Sequence, residues 1–526
     1  MINRKNMRRF DNLFLLMFMV VFYNVSASFA DVKLPSLFDD NMVLQRDMKI
    51  TLWGWADPGE EIKVSINSLS EFVKADKNGD WKVKLEPMTA GGPFKLIIEA
   101  KNIIAYSNVM VGDVWICSGQ SNMEMRVRHV VDSDNEVADA LYPNLRLFQI
   151  KNDLSPAPRN DCEGSWEVCR PSTVGDFSAA GYFFGRKIMQ ETNVPIGLIN
   201  ASWGGTTVEA WISIDAQYQS NEFRNILDHW KPVLEKKSPE ILSFYRKMAE
   251  WEEDVHYVEY VGKPGLPIYG TPPKSPVKLS IVPQLPVWVY NAMIAPLVPY
   301  AIKGVIWYQG ESNAGRAYQY RKLFPSLIRN WRRLWNQGNF PFLFVQLANY
   351  GKSDPHPGES AWAELREAQL MTLSLSNTAM AVAIDLGEAD NIHPGNKQDV
   401  GYRLALGALK VAYGENIIHS GPVFDTMNIE GGRIHLRFSC IGEGLVSKNN
   451  DSVKGFTIAG EDRKFSRAKA VIIDNEVTVW NEIVTDPIAV RYGWANNPDC
   501  NLYNCEGLPA SPFRTDDWHG ITVNKK

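Results

Sequence analysis

Apolar and polar residues alternate in short runs at the start of the chain. Between residues 31 and about 108 the runs resemble Trp81-Lys82-Val83-Lys84-Leu85, and turn signals such as Asp57-Pro58-Gly59 separate them. A period of two is typical of a strand that buries one face. We therefore predict a β-sandwich-like region over 31–108.

A different pattern begins at residue 109, where apolar runs without alternation recur at long intervals. These runs are Val111–Cys117, Ile196–Ala201, Gly304–Tyr308, Phe342–Leu347 and Ala379–Ile384. Segments with helical periodicity lie between or after them, at Ala179–Glu191, Ala317–Trp335, Trp362–Leu373 and Asp399–Tyr413. Continuous apolar strands alternating with helices indicate a parallel sheet covered on both faces. Residues 109–415 are thus predicted to form a doubly wound α/β/α domain that binds ligands at the carboxyl ends of its strands.

Two further segments complete the organisation. Residues 215–284 interrupt the α/β pattern with two amphipathic segments and a stretch rich in Pro and Gly, which indicates an insertion that could cover the site. From about residue 416 to 526 the alternating pattern returns, so a second β-sandwich-like region is expected at the C-terminus.

The first 30 residues have the pattern of a secretory signal peptide. Four cations precede an apolar run from Leu13 to Val21, and small residues at Ser28 and Ala30 suit cleavage after Ala30. A membrane anchor is the alternative, but the run is shorter than the roughly 20 residues that span a bilayer. We expect an exported protein, periplasmic or extracellular, with no membrane span in its mature form.

Composition narrows the possible functions. Hydrophobic residues make up 45% and charged residues 22% of the 526 positions, which excludes global disorder. The net charge of −5 shows no basic surplus, so nucleic acid is not an expected partner. Six cysteines in an exported chain permit disulfides, and the close pairs Cys162/Cys169 and Cys500/Cys505 are the candidates.

Polar, Gly-rich loops follow four of the predicted parallel strands. They are residues 118–124, 202–207, 309–313 and 385–394. Parallel strands place their carboxyl ends at one edge of a sheet, so these loops are expected to meet there. No metal, nucleotide or dinucleotide motif accompanies the strands, and we expect neither a cofactor nor a metal.

Ser121 is the candidate nucleophile. It follows a strand at the predicted start of a helix, where free backbone N–H groups could hold an oxyanion. The alternative is a simple helix N-cap. Met123 stands where a G-x-S-x-G elbow needs its second glycine, so the common α/β-hydrolase signature is absent.

His393 is the candidate base and Asp390 the candidate acid. Asp390 lies three residues before His393. Its carboxylate is therefore close enough to accept a hydrogen bond from the imidazole N–H and to raise the pKa of the ring. Asp385 and Glu388 are rival carboxylates that the spacing does not exclude.

The remaining candidates bind the oxyanion or the substrate. Gly204 and Gly205 allow close approach of backbone N–H groups, and Gln309 supplies an amide donor at a strand end. Glu311 and Asn313 are expected to orient that donor or to bind substrate; loop hydrogen bonding is their structural alternative.

Four ordered motifs resemble the sialate O-acetylesterase family of SGNH (GDSL-type) hydrolases. They are Ser118-Gly119-Gln120-Ser121-Asn122-Met123, Trp203-Gly204-Gly205-Thr206, Trp307 to Asn313, and Asp390-x-x-His393; segments 290–294 and 501–510 extend the resemblance. It implies an SGNH-like fold and a metal-free serine esterase that deacetylates sugars, with Ser121 as nucleophile, His393 as base and Asp390 as acid. The glycine pair and Gln309 match the oxyanion region.

Two questions stay open at this level. The loop reads Gln-Gly-Glu-Ser-Asn instead of the usual G-x-N-D block, so either Gln309 or Asn313 could be the oxyanion donor. O-acetylated sialic acids are the first expected substrate; acetylated xylan or pectin, and a non-catalytic glycan-binding role, are the alternatives.

Overall fold

A computed structural model of the protein describes residues 31–217, 223–232 and 284–525, together with positions 239, 243 and 247. The predicted signal peptide and most of the predicted insertion lie outside the described residues. No helix in the described ranges is long and apolar enough to cross a membrane.

Strands and helices are numbered in chain order. The strands are β1 Val43–Gln45, β2 Ile50–Trp55, β3 Glu61–Ile66, β4 Leu69–Lys74, β5 Asp80–Leu85, β6 Gly91–Glu99, β7 Ile103–Gly119, β8 Tyr142–Gln149, β9 Trp166–Cys169, β10 Ile196–Ser202, β11 Gly304–Tyr308, β12 Phe342–Gln346, β13 Thr378–Val382, β14 Val423–Glu430, β15 Arg433–Ser439, β16 Leu445–Ser447, β17 Phe456–Ala459, β18 Ser466–Arg467, β19 Lys469–Ile473, β20 Glu476–Trp480, β21 Ala489–Tyr492, β22 Leu502–Asn504 and β23 Phe513–Arg514. The α-helices are α1 Ser121–Glu124, α2 Ser133–Ala138, α3 Pro171–Val174, α4 Ala179–Thr192, α5 Ile214–Gln217, α6 Ala317–Trp335, α7 Ala361–Met371 and α8 Gln398–Val411.

The central sheet has the strand order β13-β12-β11-β7-β10-β8-β9. All neighbouring pairs are parallel except the edge pair β8 and β9. Trp115 on β7 packs against Phe184 of α4, whereas Trp307 on β11 stacks on Phe324 of α6. Gly304 is the partner of Trp115, and side chains alternate along a strand, so Trp115 and Trp307 lie on opposite faces. The predicted α/β/α architecture is confirmed.

One long strand joins the N-terminal β region to this sheet. β7 has 17 residues; its first part pairs antiparallel with β6, and its second part lies between β10 and β11. The strand is therefore continuous across residue 108, and its carboxyl end leads directly into the candidate nucleophile.

The C-terminal region consists of antiparallel sheets with the orders β14-β15-β20-β19 and β18-β17-β21-β23, and the pair β16-β22. Its own core includes Phe456, Tyr492 and Phe513. Buried Arg491 donates to Asp516 and to Glu359, just before α7, and thereby ties this region to the α/β domain.

The structure contradicts the expected disulfides. All six cysteines are free, including Cys162/Cys169 and Cys500/Cys505. Cys169 is buried in β9 and Cys500 interacts with Tyr492, whereas Cys505 is exposed on a turn. Burial raises the pKa of Cys169 to about 12, so this thiol is a small apolar core group.

Candidate active site

The four polar loops meet at one edge of the sheet, as predicted. They follow β7, β10, β11 and β13, and in the register Ser118 lies beside Ala201 and Trp307. The arrangement follows from parallel pairing, because every carboxyl end then points the same way.

Ser121 is positioned by a turn that requires glycine. Gly119 has φ of +140°, and a Cβ there would lie 2.1 Å from the Tyr308 carbonyl oxygen. The next residue, Gln120, donates its N–H to that oxygen at 2.9 Å. Gln120 is the N-cap and Ser121 the first residue of α1, so the N-cap alternative for Ser121 is excluded. The Ser121 N–H consequently has no intrahelical acceptor.

The structure brings the predicted nucleophile and base into contact. His393 Nε2 lies 2.8 Å from Ser121 Oγ. We call residues 385–394, which contain the candidate base, the base loop. Asn391 holds this loop: its side chain accepts from the His393 N–H and donates to the His393 carbonyl, each at 2.9 Å. A neutral His393 can therefore take the hydroxyl proton of Ser121 without a large movement.

The pKa of His393 shifts in the opposite direction to the sequence prediction. Partial burial lowers it, and the ammonium of Lys397 lowers it further. The expectation of a raised pKa was wrong because it assumed an ion pair with Asp390, and no hydrogen bond between the two residues occurs in the described structure.

The three rival carboxylates have different environments. Asp385 forms two hydrogen bonds with Arg403, at 2.6 and 2.8 Å, and accepts from Tyr503 at 3.1 Å. Burial would raise the pKa of Asp385, but Arg403 outweighs it and lowers the pKa. Glu388 accepts from Gly395 N and from Asn391. Asp390 is exposed and has no hydrogen bond within the described ranges.

The predicted oxyanion donors separate into two groups. Gly204 N–H donates to Glu124 at 2.6 Å and is already used. Gly205, with φ of +74°, has an N–H without an acceptor among the described residues. Of the donors considered, the backbone N–H groups of Gly205 and Ser121 are therefore the ones without an acceptor among the described residues.

Gln309 and Asn313 form part of the loop framework. Gln309 Nε2 donates to Asn313 Oδ1 at 2.7 Å and to the Thr206 carbonyl at 3.3 Å. Asn313 Oδ1 also accepts from Val208 N, and Asn313 Nδ2 donates to Glu209. Both amides are fully buried and engaged, so the structure brings neither to Ser121 as a free donor.

Glu311 has a role that sequence reasoning left open. Its Oε1 accepts from Asn122 Nδ2 at 2.6 Å, and the same nitrogen donates to the Ile392 carbonyl at 3.0 Å. Asn122 follows the candidate nucleophile and Ile392 precedes the candidate base, so this bridge, which we call the Asn122 bridge, joins the two candidate catalytic segments. Burial raises the pKa of Glu311.

Sequence reasoning did not identify Asn122 and Lys397 as site residues. Lys397 is fully buried and donates to the Pro394 carbonyl at 2.5 Å; burial lowers its pKa to about 8. A lysine before a helix gives no signal of such burial, whereas Asn122 lies within a motif that was already singled out. No cluster of three or more potential metal-ligating side chains occurs in the described part of the chain.

The chain is similar to known proteins over most of its length. The profile of the family "Carbohydrate esterase, sialic acid-specific acetylesterase" matches residues 111–245 and 287–410. Sialate O-acetylesterase of Mus musculus is 31% identical over 91% of this chain and 94% of its own length; the Homo sapiens protein is 29% identical, over 91% and 92%. A crystal structure of a carbohydrate acetylesterase from Xanthomonas citri is 38% identical, with a TM-score of 0.79, and covers 93% of this chain and 100% of that chain.

Proposed function

The chain belongs to the sialic acid-specific acetylesterase family of carbohydrate esterases and is a carboxylic ester hydrolase, and we propose that it removes O-acetyl groups from glycans by a serine mechanism. The observation that carries this proposal is the 2.8 Å contact between Ser121 Oγ and His393 Nε2 at the edge where four strand-end loops meet.

The mechanism has two half-reactions. Ser121 Oγ attacks the acetyl carbonyl carbon while His393 Nε2 takes the hydroxyl proton, and the Ser121 and Gly205 N–H groups stabilise the oxyanion. Collapse of the tetrahedral intermediate breaks the ester bond, and His393 returns the proton to the sugar oxygen. Water then attacks the acetyl-enzyme, with His393 again as base, and releases acetate and free Ser121.

Asp390 is our proposed acid because its rivals are already engaged. Arg403 and Tyr503 hold Asp385, and the base loop itself holds Glu388. Asp390 lies on the same exposed loop as His393 and has no competing hydrogen bond within the described structure. Catalytic hydrogen bonds often form fully only with substrate present, so Asp390 can approach His393 Nδ1 in the working complex.

O-acetylated sialic acid is the first proposed substrate, on the family description and the Mus musculus and Homo sapiens relatives. The Xanthomonas citri structure is described as a carbohydrate acetylesterase without a named sugar, and acetylated plant polysaccharide is our second proposed substrate. Acetate release measured side by side on O-acetylated N-acetylneuraminic acid and acetylated xylan tests both. We expect faster release from the sialic acid; release from xylan alone would replace the first substrate with the second.

A non-catalytic glycan-binding protein is the alternative from another class. A fluorophosphonate probe separates the two, because a nucleophilic serine forms a covalent adduct. We expect labelling that maps to Ser121; tight glycan binding without labelling would contradict an esterase.

We also propose that the protein is exported, from the charged, apolar and small-residue segments of its first 30 residues. N-terminal sequencing of the protein recovered from cells should find Asp31 as the first residue. Recovery of an intact N-terminus from the cytoplasm would contradict export.

A further inference from the structure

A cavity of about 310 Å³ lies beside the glycine loop that contacts the nucleophile. Its lining combines buried polar side chains with apolar ones. Six of the lining residues are Thr207, Glu209, Ile226, Trp230, Arg316 and Gln319. Nothing in the proposed chemistry of Ser121 and His393 uses these six side chains.

The cavity is close to the reacting atoms. A Cβ built on Gly204 would lie 3.3 Å from Ser121 Cβ, so the loop packs directly against the nucleophile. Thr207 follows three residues later, and three extended residues span at most about 11 Å. This distance is comparable to the size of one sugar ring with its acetyl group.

Gln309 and Asn313 fix the loop between the nucleophile and the cavity. Gln309 holds the Thr206 carbonyl, and Asn313 holds Val208 N. Because these residues flank Thr207 on both sides, the cavity wall has a defined position relative to Ser121. Preorganisation of this kind reduces the entropy lost when a substrate is oriented.

One of the residues that line the cavity, Thr207, has a polar group without a partner among the described residues. Thr207 is only 4% exposed, and its Oγ1 has no hydrogen-bond partner within the described residues. A buried hydroxyl without a partner costs free energy unless a ligand or water supplies one. Thr207 can donate to or accept from a ligand hydroxyl.

The charges in the cavity cancel. Glu209 pairs with Arg316, whose guanidinium also donates to Gln319 Oε1 at 2.5 Å. Recognition here would therefore depend on hydroxyl groups and stacking more than on a ligand charge.

Two apolar side chains contribute to the lining, with Ile226 buried and Trp230 half-buried. The Trp230 ring is oriented by an edge contact with His229, at 6.0 Å between centroids. A pyranose has an apolar C–H face and a hydroxyl-bearing rim, which match a lining of aromatic and polar side chains. We propose that this cavity binds the sugar ring of the O-acetylated substrate, an inference that rests on the proposed glycan deacetylation.

The test compares a sugar ester with an ester that has no sugar. Full-length Trp230→Ala and Thr207→Val are assayed on 4-nitrophenyl acetate, O-acetylated N-acetylneuraminic acid and acetylated xylo-oligosaccharides. Trp480→Ala and Thr426→Val, in the C-terminal sheets, are matched controls. Melting temperatures verify that each variant is folded.

The measured quantity is the ratio of KM for whichever sugar ester the wild-type protein hydrolyses to KM for 4-nitrophenyl acetate. We expect this ratio to rise about tenfold in Trp230→Ala and about threefold in Thr207→Val. The controls should keep the wild-type ratio. An unchanged ratio in both cavity variants would overturn the inference alone and leave glycan deacetylation intact. A wild-type protein that hydrolyses 4-nitrophenyl acetate but neither sugar ester would overturn both.

Discussion

At the scale of single residues, the proposed mechanism makes the pH dependence of kcat/KM depend on the protonation state of His393. Only the neutral imidazole accepts the Ser121 proton, and burial together with Lys397 lowers the pKa of the ring. We therefore expect kcat/KM for 4-nitrophenyl acetate to rise with pH through one ionisation with a midpoint below the ordinary value of about 6.5. A profile of kcat/KM measured from pH 4 to pH 9 gives this midpoint. A midpoint above pH 7 would contradict the assignment of His393, with its lowered pKa, as the base.

Lys397→Met provides an internal check on this pH profile. The substitution removes one of the two causes of the lowered pKa and keeps an apolar side chain of similar length. The midpoint should move upward, while Lys469→Met, at an exposed ion pair in the C-terminal region, should leave it unchanged.

The three carboxylates of the base loop should respond differently to substitution. Asp390→Asn removes the proposed acid, so kcat should fall about 100-fold or more with little change in melting temperature. Asp385→Asn breaks a buried ion pair with Arg403 and should destabilise the fold by about 3 kcal/mol. Glu388→Gln should lower kcat less than Asp390→Asn does. Kinetics and thermal unfolding of all three decide the assignment; full activity of Asp390→Asn with inactive, folded Asp385→Asn would move the acid to Asp385.

At the scale of elements, the Asn122 bridge joins helix α1 to the base loop. Glu311→Ala removes the acceptor that orients Asn122, so the base loop should lose its register with Ser121 and kcat should fall about tenfold. Glu311→Gln keeps an amide oxygen as acceptor and should recover most of the activity. Equal losses in the two variants would show that the charge of Glu311, and not its hydrogen bond, is what matters.

The strands and helices of the sheet were largely predictable, and the exceptions have physical causes. Continuous apolar runs predicted β7, β10, β11, β12 and β13, because strands buried on both faces have no alternation. Strand β8 was missed because Arg146 interrupts its apolar run. The structure buries this arginine through hydrogen bonds to the carbonyls of Pro143, Asn41 and Asn108, which no local pattern reveals.

The candidate site was predictable in its residue types and less so in its contacts. Strand-end position identified Ser121 and His393. The direction of the His393 pKa shift depends on burial and on the position of the Lys397 ammonium, and the structural roles of Gln309 and Asn313 depend on contacts with residues 206–209 of another loop. Spacing along the chain does not determine such contacts.

At the scale of the whole molecule, a second buried arginine, in addition to Arg491, connects the C-terminal region to the α/β domain. Arg366 on α7 donates to the carbonyls of Leu347 and Ala348 in one region and Ala495 and Asn496 in the other. Arg366→Met would leave these carbonyls without a donor and should cost about 3 kcal/mol of unfolding free energy or more. Exposed Arg433→Met is the control for calorimetry or denaturant unfolding. Equal stability of the two variants would contradict this role of Arg366.

The central claim is that Ser121 is the nucleophile of an esterase, and the kcat of Ser121→Ala on 4-nitrophenyl acetate tests it most directly. Removing the nucleophile alone lowers the rate about as much as removing the nucleophile, base and acid together, because these residues act as a unit. We predict that kcat falls at least about 10³-fold while the melting temperature stays at the wild-type value. A folded Ser121→Ala protein that retains wild-type turnover would contradict the account.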